Sequence, residues 1–536
     1  MHEFSNRHKK FAIGLCLAAV LAVAFLARAQ HFRMLYPYFY YQDEIRQAEM
    51  SLKVIREKSL KPDFYLYPHF PVYFNSAWYA AYFAKNNLRK IANEKSIEPI
   101  VMAAKNLDAS SAQSLYLQRG IAMVLGLICV FGVWLMARLF LSEMFALVAC
   151  LIFALLPLPL SFSAIGKNDI YLECSLIYSF YFLFRLTMTG KTGYYIWSAI
   201  FAGICFDSKA DYLPLVFLPL ATLIRAANEN RTISYWCRDR RTWLAGASAL
   251  LSLFIFSPYY FIHWPKGLAM AGWIYAVSAL NSYSHIDYHH WWLDRYSYCL
   301  LVLLPFLAGL PVYISAVAGF LERTIRIEVN AWFLLLANLG AFSYVFLSGS
   351  GGAFAIYHFM HLMPFFAVLS AWPLQLLWKK GWKKISASLG LLLAASALLQ
   401  AQNYYATNFQ AFDQLAPRLV KEIPSGSKIL GYSVYLPGPE LSRFDYKRGW
   451  PQNLDRAAVE SFNPDYILVY RSDFAGFEKF YRDSLPVSSR LKELLSGQWG
   501  WRQAYSLKVR YPGDFIWQWL DPEFMIELVV LEKTRS

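Results

Sequence analysis

From Phe11 to Ala29 the chain reads FAIGLCLAAVLAVAFLARA, nineteen residues with one charge among them. An α-helix rises about 1.5 Å per residue, so a run of this length crosses the roughly 30 Å hydrocarbon core of a bilayer. Apolar runs recur at 120–138, 144–162, 170–187, 194–206, 212–225, 243–262, 297–320, 331–348, 358–378 and 384–400. Few arrangements other than a bundle of membrane helices bury such a series. Composition agrees: 16% of residues are charged, against about 25% in soluble domains. The expected class is a polytopic α-helical membrane protein of about eleven spans. The pair 194–206 and 212–225 is short, which leaves a re-entrant reading open.

Basic residues fix the expected orientation. Arg7, Lys9 and Lys10 precede the first run, and Arg138, Arg185, Lys191, the loop RAANENRTISYWCRDRRTW, ERTIRIE and KKGWKK follow alternate runs. By the positive-inside rule the N-terminus is inside and the C-terminus outside. The formal charge of +15 is therefore spread over short loops that orient spans. No basic tract with interleaved aromatics forms a nucleic-acid groove, so nucleic acid is not an expected partner. The first run also resembles a signal peptide ending at Ala27-Arg28-Ala29; an uncleaved first span is the preferred reading.

Residues 30–118 form a long outer loop. Within it Ile45, Ala48, Leu52 and Ile55 share a helical face, as expected of an amphipathic helix at the membrane interface. The aromatic stretch FPVYFNSAWYAAYF suits the same plane, although two soluble helices packed together would read alike. After residue 402 the pattern turns polar. KILGYSVY, DYILVYRS, WRQAYSLKVR and MIELVVLEK read as strands, RAAVESFNP and SRLKELLSG as helices. The expected division is a transmembrane catalytic domain, 1–402, and a small extracytoplasmic α/β domain, 403–536.

Four polar clusters meet on the outer face of this topology: Asp43-Glu44; Lys167-Asn168-Asp169 with Glu173; Asp207-Ser208-Lys209 with Asp211; and His285, Asp287, His289, His290, Asp294 and Arg295 with Tyr357, His358 and His361. Arg119 opens the second span beside them. Charged side chains near a bilayer are costly, so their default reading is functional. Each also has a plainer reading. Asp43 and Glu44 suit the first turn of a helix, Asp169 and Lys167 can cap one, Lys209 can snorkel to the headgroups, and His289-His290 beside Trp291-Trp292 suits an aromatic belt. Asp287, His289 and His290 are weak candidates for a divalent ion, since HIDYHH lacks the spacing of a known metal motif.

The carboxylate pair after the first span, the long outer loop, Arg119, the GKND turn and AGICFDSKADYLPL together resemble the GT-C glycosyltransferases. The nearest branch is that of protein O-mannosyltransferases and aminoarabinose (lipid A) transferases, with their RgtA/B/C/D-like relatives. HFMHLMPFFAVLSAW resembles a late-span segment of that branch, and IPSGSKILGYS with NPDYILVYRS resembles its outer C-terminal domain. The resemblance implies a membrane glycosyltransferase, a hexosyl- or pentosyltransferase dependent on a polyprenyl-phosphate sugar. It would act by inverting transfer on the outer membrane face, to a lipid, glycan or protein acceptor. Among the catalytic residues, Asp43 would be the base, Asp169 would support the acceptor or the sugar, and Glu44 matches the second acid of the mannosyltransferase pair, with no step assigned to it. Arg119, Lys209, Lys167 and His358 would bind the donor phosphate; His358 stands where relatives often carry Arg. No cofactor is implied with certainty beyond a possible divalent cation.

A transporter or flippase of lipid-linked sugars is the alternative. Transporters place polar residues near the midplane and repeat their halves, whereas here the charges collect at outer span ends and no repeat is visible. The only Asn-x-Ser/Thr triplet, Asn230-Arg231-Thr232, falls in a cytoplasmic loop, and residues 300–536 lack cysteine. Both features favour a bacterial inner membrane, with the active site and C-terminal domain in the periplasm.

Overall fold

The computed structural model describes residues 2–36, 42–61, 68–109, 111–209, 213–266, 304–325, 356–405, 419–432, 443–449, 455–470, 486–509 and 526–534. Among the described residues the elements of the first half are all helices: α1 (His2–Leu35), α2 (Gln42–Arg56), α3 (Phe70–Asn86), α4 (Leu88–Glu94), α5 (Glu98–Asn106), α6 (Ala112–Ala137), α7 (Glu143–Leu155), α8 (Pro157–Phe162), α9 (Asn168–Thr189), α10 (Thr192–Lys209), α11 (Leu213–Asn228), α12 (Ile233–Arg238), α13 (Arg240–Phe256) and α14 (Pro258–Ile262). Helices Leu304–Ala308, Leu310–Ile325, Met363–Lys379 and Lys383–Tyr405 follow, with a 3-10 helix at Ile356–Leu362.

Among the described residues four helices are long and apolar enough to cross a membrane: Lys10–Leu35, Ala112–Ala137, Phe359–Lys379 and Lys383–Gln402. Glu143–Leu155 and Leu213–Asn228 are apolar but shorter. The expected span 144–162 is broken because Pro157 has no N–H to continue the helical ladder. The carbonyl of Ala154, in the last turn before the break, instead accepts from the wholly buried Arg28 of α1 at 3.2 Å. The expected span 331–348 lies outside the described residues. The architecture is that of a polytopic helical membrane protein.

The core lies between α6, α7, α9 and Met363–Lys379. Phe180 at its centre meets Phe184, Phe217 and Phe365 at ring separations of 5.9, 5.7 and 5.3 Å. At the far ends of α9, α11 and α13 an ionic knot forms: Arg241 binds Glu229 at 3.0 Å, Asp239 at 2.7 Å and the carbonyl of Gly190 at 3.1 Å.

The described C-terminal residues build a five-stranded mixed sheet: β1 (Lys428–Tyr432), β2 (Asp445–Gly449), β3 (Tyr466–Tyr470), β4 (Trp501–Val509) and β5 (Ile526–Lys533), in the order β2-β1-β3-β5-β4. β1 runs parallel to β2 and β3, and β5 antiparallel to β3 and β4. Helices Arg456–Phe462 and Pro486–Leu495 accompany it. The strands alternate between two buried faces. Leu430, Ile467, Val469, Val529 and Leu531 pack with Val459, Leu494 and Trp501. Ile429, Leu468 and Val530 join the cluster that holds the membrane helices.

Candidate functional site

The starts of α2, α6 and α9 and the end of α10 bring together residues far apart in sequence. Helix α2 opens with Asp43 and Glu44 in its first turn, where acidic side chains complement the helix dipole. Successive helical residues point about 100° apart, and the two carboxylates part company accordingly. Glu44 lies on the buried face with Gln47, Ala48, Ser51 and Leu52, and Asp43 lies off it.

Glu44 and Arg119 form an ion pair, both side chains 0% exposed. The pair is bidentate: Arg119 Nε donates to Oε1 at 2.9 Å and Nη2 to Oε2 at 3.0 Å. Nη1 donates to the carbonyl of Leu35, where α1 ends, at 2.9 Å. Glu44 Oε1 also accepts from the N–H of Gly166 at 2.9 Å. Glycine is needed there: a Cβ would lie 2.4 Å from Gln118 Cγ. The pair thus ties α1, α2, α6 and the GKND turn together. Arg119, expected at the donor phosphate, and Glu44, expected among the catalytic acids, have their charges committed to each other in the interior.

The side chain of Asp43 is 50% exposed, with Oδ2 at 3.5 Å from Lys167 Nζ. Lys167, the residue before α9, also stands 3.6 Å from Asp169 in that helix's first turn. Asp169 Oδ1 takes a 2.5 Å hydrogen bond from Lys209 Nζ. Lys209 closes the last turn of α10, where a cation suits the helix terminus. An alternating row results: Asp43, Lys167, Asp169, Lys209. It runs from the exposed surface inward, Asp169 being 1% exposed. One turn deeper on α9, the buried Glu173 pairs through Oε2 with His361 Nδ1 at 3.1 Å, which pins the 3-10 helix against α9.

The other expected residues are placed as follows. Asp207 does not join Lys209 in the row; it is buried beside Ser257, whose hydroxyl accepts from the N–H of His69 at 3.0 Å. His358 lies within the 3-10 helix Ile356–Leu362. Asp211, His285, Asp287, His289, His290, Asp294 and Arg295 lie outside the described residues. Among the described residues no group of three or more His, Cys, Asp or Glu side chains is placed to hold a metal ion. Two contacts were not foreseen from sequence. Glu173 and His361, 188 residues apart, carry no local signal of their pairing. The Gly166–Gln118 approach had a faint one, a glycine ahead of a lysine at a helix start.

Residues 110–262 match the family described as dolichyl-phosphate-mannose-protein mannosyltransferase. No curated protein matches the chain. Among solved structures, the oligosaccharyltransferase AglB from Archaeoglobus fulgidus, in complex with an inhibitory peptide and a dolichol-phosphate, is similar at 12% identity and a TM-score of 0.48. That likeness covers 88% of this chain and 72% of AglB. ArnT from Cupriavidus metallidurans in the apo state is similar at 12% identity and a TM-score of 0.49 over 98% of each chain. Its form bound to undecaprenyl phosphate gives 13% identity and a TM-score of 0.47 over 96% of this chain and 97% of that one. The segment 110–262, which matches that mannosyltransferase family, carries Arg119, Lys167, Asp169 and Lys209.

Proposed function

We propose that the protein transfers a sugar from a polyprenyl-phosphate donor to an acceptor on the outer face of a bacterial inner membrane, with Asp43 as the general base. Residues 1–402 would carry the catalysis and 403–536 a periplasmic unit. One observation supports this reading above others: of two adjacent carboxylates, Glu44 is sealed by Arg119 and the Gly166 N–H, while Asp43 stays half exposed beside Lys167. The family's description carries a polyprenyl-phosphate sugar as donor, and two lysines bracketing one buried aspartate suit a phosphate.

In the proposed step an acceptor hydroxyl or amine attacks the anomeric carbon from the face opposite the phosphate. Its proton passes to Asp43, and the bond from the anomeric carbon to the phosphate oxygen breaks with its electron pair. The lipid phosphate leaves carrying one more negative charge than it had in the diester. A leaving group of that kind needs cations rather than a general acid. Lys167 and Lys209 supply them, and Asp169 holds the two ammonium groups in register; it is a positioning residue in this account. Arg119 then acts through Glu44, by fixing the start of α2.

The test is reconstitution of Asp43→Asn in liposomes with a polyprenyl-phosphate sugar and a competent acceptor. Donor binding persists, and transfer falls by about 10²–10⁴-fold, the usual contribution of a positioned base. Turnover equal to that of the wild type removes Asp43 from the reaction.

A further inference from the structure

Helix α2 turns three polar side chains inward, and two of them are answered. Glu44 has Arg119, and Ser51 Oγ donates to the carbonyls of Gln47 at 2.7 Å and Val72 at 3.2 Å. The third is Gln47. It is 3% exposed, and neither Nε2 nor Oε1 has a hydrogen-bond partner among the described residues.

Gln47 stands opposite α3. The two helices run antiparallel: Ser51 meets Val72, Ser76 Oγ donates to the Ser51 carbonyl at 3.0 Å, and further along Tyr79 is close enough to Glu44 to feel its charge. Gln47, between Glu44 and Ser51 on the same face, is therefore level with the stretch of α3 between Val72 and Tyr79. Asn75 lies there, 0% exposed. Its Oδ1 accepts from Tyr171 Oη at 2.5 Å, which sets the orientation of the amide. Nδ2 then points away from Tyr171 and has no partner among the described residues. Three hydrogen-bonding atoms of two buried carboxamides thus stand unanswered at one level of the helix pair. Buried polar atoms in folded proteins are nearly always met by protein, water or ligand.

We infer, resting on the donor and base proposed above, that Gln47 and Asn75 read adjacent hydroxyl groups on the sugar of the polyprenyl-phosphate donor, and that this sugar is neutral. Gln47 follows Asp43 by four residues, one turn or about 6 Å along the axis. A ring whose anomeric carbon lies near Asp43 therefore brings its other carbons toward Gln47. A carboxamide both donates and accepts, as a hydroxyl does, so its two halves suit two neighbouring hydroxyls. A carboxylate or ammonium group on the sugar would meet no counter-charge from two amides, and burying it there would be costly. The charged row of Asp43, Lys167, Asp169 and Lys209 handles the phosphate, and the amides handle the sugar.

The measurement is binding to the full chain in nanodiscs. The probes are decaprenyl phosphate and decaprenyl phosphate carrying glucose, mannose, galactose or arabinose, with glucuronic acid and glucosamine as charged counterparts. At least one neutral sugar improves on decaprenyl phosphate by about 10–100-fold. Gln47→Met removes most of that gain, and the affinity for decaprenyl phosphate itself stays that of the wild type. The apparent melting temperature is unchanged or raised, because an apolar side chain of like length replaces the unanswered atoms. Asn75→Leu combined with Tyr171→Phe takes away both ends of their bond and loses the same gain. Deleting one hydroxyl of the preferred sugar costs the wild type affinity but costs Gln47→Met nothing further. A gain that survives in both variants overturns the subsite, as does a charged sugar that binds best. Equal weakening of decaprenyl phosphate and its glycosides, with a lowered melting temperature, makes Gln47 structural and also overturns it. An effect confined to KM for the acceptor assigns the hydroxyls to the acceptor instead of the donor. A wild type that binds none of the probes, decaprenyl phosphate included, overturns the proposed donor and the subsite with it.

Discussion

At the residue scale the adjacent pair Asp43-Glu44 shows what a sequence hides. Two carboxylates side by side look alike in a string. A helix turns them about 100° apart, and only the neighbours decide which one is sealed. The amphipathic pattern puts Ile45, Ala48, Leu52 and Ile55 on one apolar face of α2, expected to lie at the membrane interface. The buried stripe is rotated: Glu44, Gln47, Ala48, Ser51 and Leu52 point inward, with Ile45 and Ile55 at its margins. Polar residues go inside there because partners await them, Arg119 for Glu44 and the Val72 carbonyl for Ser51. Those partners come from other helices, so no local pattern signals them. The sealed pair makes a prediction. Arg119→Ala leaves a buried carboxylate without its counter-charge, a loss of about 3–5 kcal/mol for a wholly buried pair. The apparent melting temperature in detergent falls accordingly, and Arg119→Ala combined with Glu44→Ala falls less than the sum of the two singles. If Arg119→Ala leaves the melting temperature unchanged and only weakens donor binding, Arg119 contacts the phosphate after all.

At the scale of elements, the position of the Lys167–Asp169 turn follows from what surrounds it. Helix α7 stops at Leu155 because Pro157 cannot continue it, and α8 carries the chain on to the turn that precedes α9. Prolines made this break readable in principle, yet the run 144–162 looked like one span because apolar composition continues across it. The turn is then locked from two sides. Glu44 accepts the Gly166 N–H, and Gln118 donates to the Gly166 carbonyl at 2.5 Å. A methyl group at 166 has no room against Gln118. Gly166→Ala therefore pushes the turn away from α6 and carries Lys167 with it. The expected cost in stability is about 1–3 kcal/mol, as for overpacking generally. The loss of transfer is larger than such a change in folded fraction explains. Shortening the obstacle with Gln118→Ala in the same chain restores much of the transfer, as read by kcat/KM of the double variant against each single. Two independent losses that simply add would rule out the contact as the cause.

At the scale of the whole molecule, the helical class is legible because apolar runs are local and long, and the expected spans among the described residues are helical, with 144–162 and 243–262 each divided between two helices. The expected strands at 428–435, 465–472, 501–510 and 525–533 also lie on β1, β3, β4 and β5, since buried strands are rich in branched and aromatic residues. Strand β2 was not foreseen. Its sequence DYKRG is polar, and among the described residues it sits at the sheet edge, where one side of the ladder meets no strand and alternation is not enforced. Sequence also gave no sign of how the sheet is joined to the rest. Alternation of side chains marks two buried faces but not what covers each. One face has its own helices, and the other contributes Ile429, Leu468 and Val530 to the cluster of the membrane helices. The sheet is thus only half independent. Residues 403–536 expressed alone would expose that second face, and the fragment should self-associate rather than elute as a monomer in size-exclusion chromatography. Replacing Ile429, Leu468 and Val530 with threonine keeps strand propensity while removing the apolar patch. In the isolated fragment this shifts the elution toward the monomer. In the full chain the same three changes weaken the attachment and lower the apparent melting temperature. A wild-type fragment that is already a stable monomer would mean that the helical part contributes nothing to that face.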